Sequence, residues 1–355
     1  MYKSINYYKN FSDLLKNQIN TESIYILFIT ETIEFNREEL SKLDIKYYGA
    51  IFPKIIYNNQ AYSKGILLIE LNKNDRVIFY EDMDESSFCE SEFETAKSII
   101  TIFDGLSSLA TKFIENIFEN IKLHTNILGG GSGCMQKNKR DTIFSNRGFF
   151  QNSALVVLLE RKVEISVCHG WEYLEGPFIA TKTGNNLIEE IDFDNAFENY
   201  KTIVEADCKE KLTKENFSEI SIRYPLGIIK FNGESLIRDP FSFDEEGRLI
   251  LAGDINCNAI FNILKGDKKA LIEDISKASE KISANGCDEI FMFECVSRQQ
   301  FLQESFDEEV EQILSNSNIK NIHGVFSIGE LGNDANRYVY ILNKSCVIGG
   351  MYVTE

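Results

Sequence analysis

Short apolar runs alternate with amphipathic stretches along the chain. Residues 23–30, 46–51 and 65–71 are rich in β-branched and aromatic side chains, which favours strands, and the first run is apolar enough to be buried on both faces. A short helix is predicted at 37–42. Between residues 92 and 122 apolar positions recur every three or four residues, which predicts one long helix packed against a sheet.

A glycine-rich segment and a predicted hairpin follow that helix. The segment holds four glycines in five positions, with one serine among them: Gly129, Gly130, Gly131, Ser132 and Gly133. Residues 154–159 and 163–167 are apolar, and charged residues separate them. This pattern predicts two antiparallel strands joined by a tight turn.

The second half shows a further alternation of strands and helices. Strands are predicted at 224–230, 249–252 and 259–264, with helices at 196–205 and 270–283. The order then becomes strand, helix, glycine-containing strand and final strand, at residues 289–294, 306–314, 323–328 and 338–342.

The same order describes residues 24–71, and residues 92–159 contain its later parts. A repeated order predicts a duplicated unit, although alternating α/β proteins also produce such orders by chance. The predicted fold class is α/β (mixed α+β), with two related halves and mixed sheets that contain antiparallel hairpins and are flanked by helices. The charged segment 207–219 is the predicted boundary, which gives domains 1–206 and 220–355.

The composition is that of a folded protein with a large acidic excess. Its 355 residues, 43% hydrophobic and 26% charged, predict two domains. The net charge of −18 opposes a nucleic-acid surface, which needs a basic face. The first ten residues lack the apolar stretch of a signal peptide, and no apolar run approaches the ~20 residues that span a bilayer. A cytoplasmic protein without membrane insertion is expected.

The eight cysteines have no close spacing of the kind that binds zinc, so no metal site is predicted. In a reducing compartment they are expected to be buried apolar residues or free thiols. Cys134 and Cys168 lie beside glycine turns. A cysteine nucleophile also needs a lowered pKa and a base, and the sequence places neither.

The glycine-rich segment needs a reason to exist, because glycine loses more conformational freedom on folding than other residues. Unusual torsions and a close approach by a ligand are the usual reasons. Gly133 is followed by Cys134, so neither the Lys-Ser/Thr of a phosphate loop nor the final glycine of a dinucleotide fingerprint is present. We expect the N–H groups of the segment to bind polar oxygens of a small molecule.

Four side chains at predicted strand ends are further candidates for ligand binding. His169 could contact a ligand, bind haem iron or relay a proton, or its nitrogens could be satisfied by the backbone. Trp171 would pack on the apolar part of a ligand. Arg298 could bind a carboxylate of a ligand or of Glu330. Glu330 could accept an ammonium group, act as a base or pair with Arg298.

These segments resemble the FIST family (F-box and intracellular signal transduction), whose N-terminal and C-terminal domains occur together. The resemblance runs from about residue 25 to residue 345. The segments that carry it are 129–133, 169–171, 183–192 and 195–200 in the first half, and 224–227, 249–255, 295–298 and 327–330 in the second.

The resemblance implies an intracellular sensory module that binds a small ligand, such as an amino acid, in signal transduction. Some members of the family are haem proteins that sense nitric oxide. Two departures stand out here. The family's Gly-Cys-Ser-Thr-Ala-Gly-Glu-Ile is replaced by the more apolar residues 49–56, and its His-Asn-x-Thr appears as Leu342-Asn343-Lys344-Ser345, without the histidine. The missing histidine weakens the expectation of haem.

The leading hypothesis is a sensory protein that binds an amino-acid-like metabolite between its two halves. The pocket would be lined by Gly129–Gly133, His169, Trp171, Arg298 and Glu330. No kinase, cyclase or chemoreceptor segment is recognised in the sequence, so the signal is expected to pass to a separate protein of such a kind.

Two alternatives stay open at this point. One is a haem-based nitric oxide sensor with His169 as the iron ligand. The other is an amide or ester hydrolase that uses Cys134 or Cys168 with His169 as the base. An enzyme is the less favoured class because no nucleophile–base pair is evident, and no catalytic residue is assigned.

Overall fold

The chain forms three copies of one β-α-β-β unit, with a β-barrel inserted into the third copy. The computed structural model describes residues 1–135, 141–230, 234–333 and 338–352. Within those ranges, no helix is both long enough and apolar enough to cross a lipid bilayer.

The helices and strands follow one another in the order of the three units. The first unit comprises β1 (Ser4–Tyr8), α1 (Phe11–Leu15), β2 (Ile24–Thr30), α2 (Arg37–Ser41), β3 (Lys46–Phe52), β4 (Ile55–Tyr57), β5 (Gln60–Tyr62) and β6 (Ile66–Glu70). The second comprises β7 (Arg76–Tyr80), α3 (Glu90–Phe93), β8 (Ser98–Asp104), α4 (Ala110–Asn120), β9 (Asn126–Ser132), β10 (Ile143–Ser145), β11 (Gly148–Phe150) and β12 (Ala154–Leu159).

The third unit begins with β13 (Glu164–Cys168) and is then interrupted by the barrel. The barrel region comprises β14 (Glu172–Gly184), β15 (Leu187–Ile191), β16 (Asp194–Asn195), α5 (Ala196–Cys208), α6 (Phe217–Ser221), β17 (Leu226–Ile229), β18 (Ser235–Phe243), β19 (Leu249–Ala252) and β20 (Ile260–Lys265). The third unit resumes with α7 (Lys268–Ala284), β21 (Glu289–Cys295), α8 (Val296–Leu302), α9 (Ser305–Asn316), β22 (Asn321–Ser327), β23 (Glu330–Gly332), β24 (Ile341–Leu342) and β25 (Cys346–Met351).

The strand pairing is the same in all three units. The leading strand is parallel to the next long strand and antiparallel to the last one: β2 with β3 and β6, β8 with β9 and β12, β21 with β22 and β25. The fourth residue of each second strand is a glycine, namely Gly49, Gly129 or Gly324. The predicted repeat is therefore confirmed, and the first half holds two copies of it.

Two of these glycines are required by the neighbouring strand. A Cβ at Gly129 would lie 1.8 Å from the carbonyl oxygen of Thr101, and one at Gly324 would lie 2.1 Å from that of Met292. Because both contacts are with backbone atoms, no side-chain movement could relieve them. The shared glycine is therefore a steric consequence of the pairing in the unit.

Each unit gives a hairpin to a neighbouring unit. Strands β4 and β5 of the first unit extend the sheet of the third unit by pairing with β22. Strands β10 and β11 of the second unit extend the sheet of the first by pairing with β3. Strands β23 and β24 of the third unit extend the sheet of the second by pairing with β9. In each unit, the sixth residue of the strand that carries the glycine donates its N–H to a carbonyl in the segment beside the incoming hairpin. These hydrogen bonds run from Ile51 to Thr142 O (2.8 Å), from Gly131 to Gly329 O (2.8 Å) and from Phe326 to Lys54 O (3.0 Å). The three sheets are interlocked as a ring.

The inner faces of the three sheets meet in one apolar core. The third and fifth residues of the three leading strands line an apolar cavity of about 20 Å³, and these residues are Ile26, Phe28, Ile100, Ile102, Phe291 and Phe293. A space of this size and lining holds at most one water and is expected to stay dry. The helices cover the outer faces, with α4 on the second sheet and α7 and α9 on the third.

The barrel has its own core. Its strands run in the order β14, β20, β17, β18, β19 and β15, and pairing of β14 with β15 closes it. Helix α5 lies against this core with Tyr200, which is fully buried and donates its hydroxyl to the carbonyl of Tyr224 at 2.7 Å. The pairing satisfies the polar end of a large buried ring.

Three predicted elements were wrong. Residues 98–104 are the buried strand β8 rather than part of a helix, because their β-branched run fits a strand whose two faces are both covered. Residues 154–159 and 163–167 do not form a hairpin: β12 lies between β7 and β8, while β13 pairs with β25. The last strand is β25 rather than 338–342, of which only residues 341–342 are in a strand.

The mixed α/β fold class is confirmed by these sheets and helices. The domain ranges 1–206 and 220–355 stay a prediction. The barrel draws its strands from both ranges, since β14 and β15 precede residue 206 and β17 to β20 follow residue 220. Hairpin exchange also ties the two ranges together through β4 with β22 and β23 with β9.

Candidate functional site

Buried charged side chains gather where the barrel meets the third unit. We call this region the barrel junction and define it by Arg238, Asp239, Ser297, Asn343 and Lys344. Arg238 and Asp239 lie on β18 of the barrel, Ser297 lies on α8, and Asn343 and Lys344 precede β25. All but the half-buried Ser297 are buried.

Lys344 is fully buried, and its ammonium group bridges the two structural parts. Its Nζ donates to the carbonyl of Ile222 at 2.8 Å and to Ser297 Oγ at 3.0 Å, and it lies 3.2 Å from Asp239 Oδ1. Ser297 Oγ in turn donates to Asp239 Oδ2 at 2.6 Å. A buried ammonium needs such partners because burial without them is costly.

Arg238 has a different set of partners, all of them uncharged. Its Nε donates to the carbonyl of Asp254 at 2.7 Å, and its Nη1 donates to the carbonyls of Ile237 and Ile341 and to Asn343 Oδ1 at 2.9, 3.2 and 3.2 Å. Burial lowers the pKa of Arg238 to about 10, and the Asp254 carboxylate opposes this change. Arg238 is thus a buried cation whose hydrogen-bond acceptors are neutral carbonyl and amide oxygens.

The barrel junction carries an excess of positive charge. Among the described residues, Asp239 is the one carboxylate within 4 Å of either cation, and it pairs with Lys344. Arg238 therefore has no carboxylate of its own at that distance in the described part of the chain. Desolvated cations of this kind bind carboxylates or phosphates strongly, because arginine offers a rigid fork of donors.

His169 and Trp171 border the barrel junction. Trp171 is buried and donates its indole N–H to the carbonyl of Lys344 at 2.7 Å, and Lys344 Nζ lies 5.0 Å from its ring centroid. His169 is half-buried; its Nδ1 accepts the backbone N–H of Trp171 at 3.0 Å, and its own backbone N–H is donated to Asp274 at 2.9 Å. Burial lowers the pKa of His169, so the ring is neutral near pH 7.

Comparison of the repeated units shows that the third has diverged at this place. Asn152 and Lys344 both lie two residues before the last strand of their unit and have backbone φ values of 47° and 48°. The N–H of Asn152 is donated to Asp104 at 3.2 Å, and that of Lys344 to the Cys295 thiol at 3.2 Å. The backbone is alike, so the buried ammonium is particular to the third unit.

The glycine-rich segment lies inside the interlocked sheets. Gly130 is the antiparallel partner of Glu330, so the fold brings these two segments side by side. The N–H of Gly131 is donated to Gly329 O at 2.8 Å and that of Gly133 to Ile51 O at 2.9 Å. A Cβ at Gly131 would lie 2.1 Å from the carbonyl oxygen of Ile328, so close backbone approach explains this glycine.

Arg298 is fully buried in an ion-pair cluster. Its Nη1 lies 2.8 Å from Glu294 and 2.6 Å from Glu309, and its Nη2 donates to Leu271 O at 3.0 Å. Its carboxylate partners are therefore Glu294 and Glu309, and no ion pair joins it to Glu330 among the described contacts. Burial, opposed by Arg298, raises the pKa of Glu309 to about 8.

Glu330 is fully buried and accepts a hydrogen bond from Ser327 Oγ at 3.0 Å. Burial, with a contribution from the nearby Glu294, raises its pKa well above the ordinary range, which favours the uncharged form of the carboxyl group. Direct ligand contacts by Arg298, Glu330 and the glycine-rich segment stay predictions.

The two cysteines named as possible nucleophiles lie in different places. Cys134 is half-buried and packs beside the first unit's core. Cys168 is buried in β13, and its thiol faces the carbonyl of Cys346 at 3.7 Å. The Nδ1 of His169 accepts the Trp171 N–H, so this nitrogen is not directed to either thiol.

The central apolar cavity, as the described residues form it, does not fit haem. The apolar cavity of about 20 Å³ in the central core is far too small for a porphyrin, and no histidine lines it. His323 is buried in the third sheet with its Nδ1 accepting the Asn58 N–H at 3.4 Å, and its ring contacts Tyr2 and Tyr57. Haem binding with His169 as the iron ligand stays a prediction.

Sequence reasoning missed all five residues of the barrel junction as ligand-binding candidates. Signals for them were present. Ser297 lies in a segment that carries the family resemblance, and Asn343 matches the asparagine of the family's His-Asn-x-Thr. Arg238 and Asp239 are two adjacent charges in an otherwise apolar strand pattern. Gly253, in another such segment, has φ 86°, and a Cβ there would meet Asn343 and Arg238 within about 3 Å. Three of the family segments, 169–171, 249–255 and 295–298, thus meet at this junction.

The comparisons with known proteins agree with the sequence resemblance. The FIST N domain model matches residues 34–193, and the FIST C domain model matches residues 196–333. The chain therefore belongs to the FIST family, with both domains present. FIST domains are sensory domains for small ligands in signal transduction. No curated protein matches the sequence.

Proposed function

We propose that the protein senses a small metabolite that carries a carboxylate, such as an amino acid, at the barrel junction. The observation that carries the proposal is the buried Arg238, which is held by carbonyl and amide oxygens and by no carboxylate within 4 Å among the described residues. A ligand carboxylate would replace some of these neutral acceptors. Charge-assisted hydrogen bonds are about twice as strong as neutral ones.

The two cations would have different roles. Arg238 would bind the carboxylate with its fork of donors. Lys344, already bound to Asp239 and Ser297, would keep the local potential positive. Trp171, whose ring lies 5.0 Å from Lys344 Nζ, would pack against the apolar part of the ligand. Asp239 would accept an ammonium group of the same ligand.

Ligand entry would couple binding to movement. Lys344 is fully buried, and the junction joins two parts with separate apolar cores, one in the barrel and one in the interlocked sheets. A ligand that reaches Arg238 must part the barrel from the third unit. Binding would then select a distinct position of the barrel. A separate signalling protein in the cytoplasm, of the kinase, cyclase or chemoreceptor kind, would respond to that position.

The experiment is a thermal-shift screen of the full chain with matched ligand pairs. Each amino acid is compared with the amine that lacks its carboxylate. At least one amino acid or other carboxylate metabolite is expected to raise the melting temperature while its decarboxylated partner does not, because ligand binding stabilises the folded state. Equal effects of both members of every pair, or no effect of any carboxylate, would contradict the proposal.

Arg238→Gln provides the matched variant. Glutamine keeps hydrogen-bonding capacity and removes the charge, so a folded variant is expected to lose the response to the carboxylate. Arg223→Gln is the control, because Arg223 is in the same region of sequence but pairs at the surface with Glu210 at 3.6 Å. Retention of the full ligand response by Arg238→Gln would exclude Arg238 as the carboxylate contact.

A further inference from the structure

Two cysteines lie directly opposite each other in the third sheet. Cys168 on β13 is the antiparallel partner of Cys346 on β25. The Cys168 thiol lies 3.7 Å from the carbonyl oxygen of Cys346, and both cysteines are unoxidised in this structure. Side chains of directly opposed residues point to the same face of a sheet. Both belong to the apolar layer between this sheet and α7.

The separation of such a pair suits a disulfide. Directly opposed residues in antiparallel strands have Cα atoms about 4.5–5.5 Å apart. Disulfides span Cα separations of about 4.4–6.8 Å. A bond between the two sulfurs therefore needs rotation of the side chains and little movement of the backbone.

The repeat shows that the fold itself does not require two cysteines here. The positions equivalent to Cys168 and Cys346 are Tyr8 and Ile66 in the first unit, and Tyr80 and Ala154 in the second. Those pairs combine a tyrosine with an aliphatic residue. The two opposed thiols are therefore particular to the unit that also carries the barrel junction.

We propose that Cys168 and Cys346 are a thiol pair that hydrogen peroxide oxidises to a disulfide. The sulfur of Cys168, as thiolate, attacks one peroxide oxygen; the O–O bond breaks, and the departing hydroxide takes a proton and leaves as water. The sulfur of Cys346 then attacks the sulfenic sulfur, the S–O bond breaks, and a second water leaves with the thiol proton. Two thiols and one hydrogen peroxide become one disulfide and two waters.

The order in which the two sulfurs react follows from their exposure and surroundings. Cys168 is 4% exposed and Cys346 is fully buried, so the peroxide meets Cys168 first. Burial, together with contact with the Cys168 thiol, raises the pKa of Cys346. The thiolate is the attacking form of a cysteine, which favours Cys168 as the peroxide-reactive residue and Cys346 as the resolving one.

The disulfide would link two segments that lead into the barrel junction. Cys168 directly precedes His169, and Cys346 lies two residues after Lys344. The bond would close a large loop, because the two residues are 178 positions apart. We expect it to restrain opening between the barrel and the third unit. That regulatory consequence rests on the proposed function, whereas formation of the disulfide does not.

Peptide mapping of the full chain tests the proposal. The reduced protein is treated with hydrogen peroxide, unfolded with N-ethylmaleimide to block remaining thiols, and digested without reductant. The expected product is a pair of peptides joined through Cys168 and Cys346, with a mass two hydrogens below their sum. Cys287 and Cys295 are buried too, and are expected to carry maleimide. Recovery of Cys168 and Cys346 as maleimide adducts would overturn the proposal.

Two variants separate the steps. In Cys346→Ser the sulfenic acid of Cys168 cannot be resolved, and dimedone is expected to trap it. Cys287→Ser, which alters another cysteine of the same apolar layer, is expected to leave the linked peptide unchanged. Absence of the dimedone adduct on Cys168 in a folded Cys346→Ser protein would contradict the order of steps. A linked peptide that forms equally with Cys287 or Cys295 would contradict the selectivity.

Discussion

Lys344 and Asp239 form a buried ion pair that joins the third unit to the barrel, with 3.2 Å between Nζ and Oδ1. The lysine belongs to the segment before the last strand, and the aspartate to a barrel strand. Each would be an isolated charge without the other, and Ser297 links both through its hydroxyl. The position of the barrel and the electrostatics of the proposed site therefore depend on the same contact.

A double-mutant cycle tests the strength of that contact. Lys344→Met and Asp239→Asn are each expected to lower the free energy of unfolding by about 3–5 kcal/mol, because each leaves a buried charge without its partner. The double variant is expected to lose less than the sum, with a coupling of about 1–3 kcal/mol. Urea denaturation provides the measurement.

The control cycle uses Lys182 and Glu189, a surface pair at 2.8 Å. Exposed pairs are worth less than about 1 kcal/mol, so this cycle is expected to show little coupling. Additive effects of Lys344→Met and Asp239→Asn, no larger than those of the surface pair, would show that the contact does not hold the barrel.

Glu309 predicts a specific dependence of stability on pH. Burial raises the pKa of Glu309 in the folded state to about 8, so the folded state keeps a proton that the unfolded state releases near the ordinary pKa of 4.5. The contribution of this group to stability is therefore present below the unfolded pKa and is lost as pH rises toward 8. Glu309→Gln removes this loss.

The stability of Glu309→Gln relative to the wild type is therefore expected to increase as the pH rises from about 5 to about 8, because only the wild type loses stability in this range. Glu308→Gln is the control, since Glu308 is the neighbouring exposed residue of the same helix. A difference from the wild type that stays constant across this range would show that Glu309 titrates normally.

The glycine-rich segment makes a steric prediction. Gly131→Ala places a Cβ 2.1 Å from Ile328 O and 2.6 Å from Gly105 Cα, both of which are backbone atoms. The expected loss of stability is about 3 kcal/mol, the upper part of the range for overpacking. Gly184→Ala meets nothing within 4 Å and is expected to be neutral or slightly stabilising. Equal stabilities of the two variants, measured by thermal denaturation, would contradict this role of the segment.

Trp171 provides a spectroscopic signal for the proposed site. It is the single tryptophan of the chain, is 4% exposed, and donates its indole N–H to Lys344 O. A carboxylate ligand that enters the barrel junction is expected to change its emission wavelength and intensity. Titration should show saturation at the same concentration as the thermal shift. An unchanged emission on saturation with a ligand that raises the melting temperature would place that ligand elsewhere.

Local sequence patterns correctly predicted the strands that consist of short runs of β-branched and other apolar side chains. Residues 23–30, 46–51, 65–71 and 289–294 all correspond to observed strands, because a short β-branched run has few other stable environments. Residues 98–104 were wrongly predicted as part of a helix. Phe103 has a helical spacing to Leu106 and Leu109, although β8 ends at Asp104, before those two leucines. Apolar periodicity does not reveal where one element stops and another begins.

The interlocking and the barrel junction lie beyond local patterns. Lys344 contacts Ile222 across 122 positions, and Arg238 contacts Asn343 across 105. Such contacts depend on the exchange of hairpins between units, which the spacing of apolar residues does not encode. Arg298 illustrates the same limit: the sequence indicated an ion pair or a ligand contact, and only the fold shows that Glu294 and Glu309 are its partners.

The most direct test of the proposed function is the affinity of the best carboxylate ligand for the wild type and for Lys344→Met, measured by isothermal titration calorimetry. Lys320→Met is the control, because Lys320 is at the surface and pairs with Asp288 at 2.9 Å. We predict at least a tenfold loss of affinity, about 1.4 kcal/mol, for a folded Lys344→Met protein and none for Lys320→Met. Equal affinities of all three proteins would contradict a ligand site at the barrel junction.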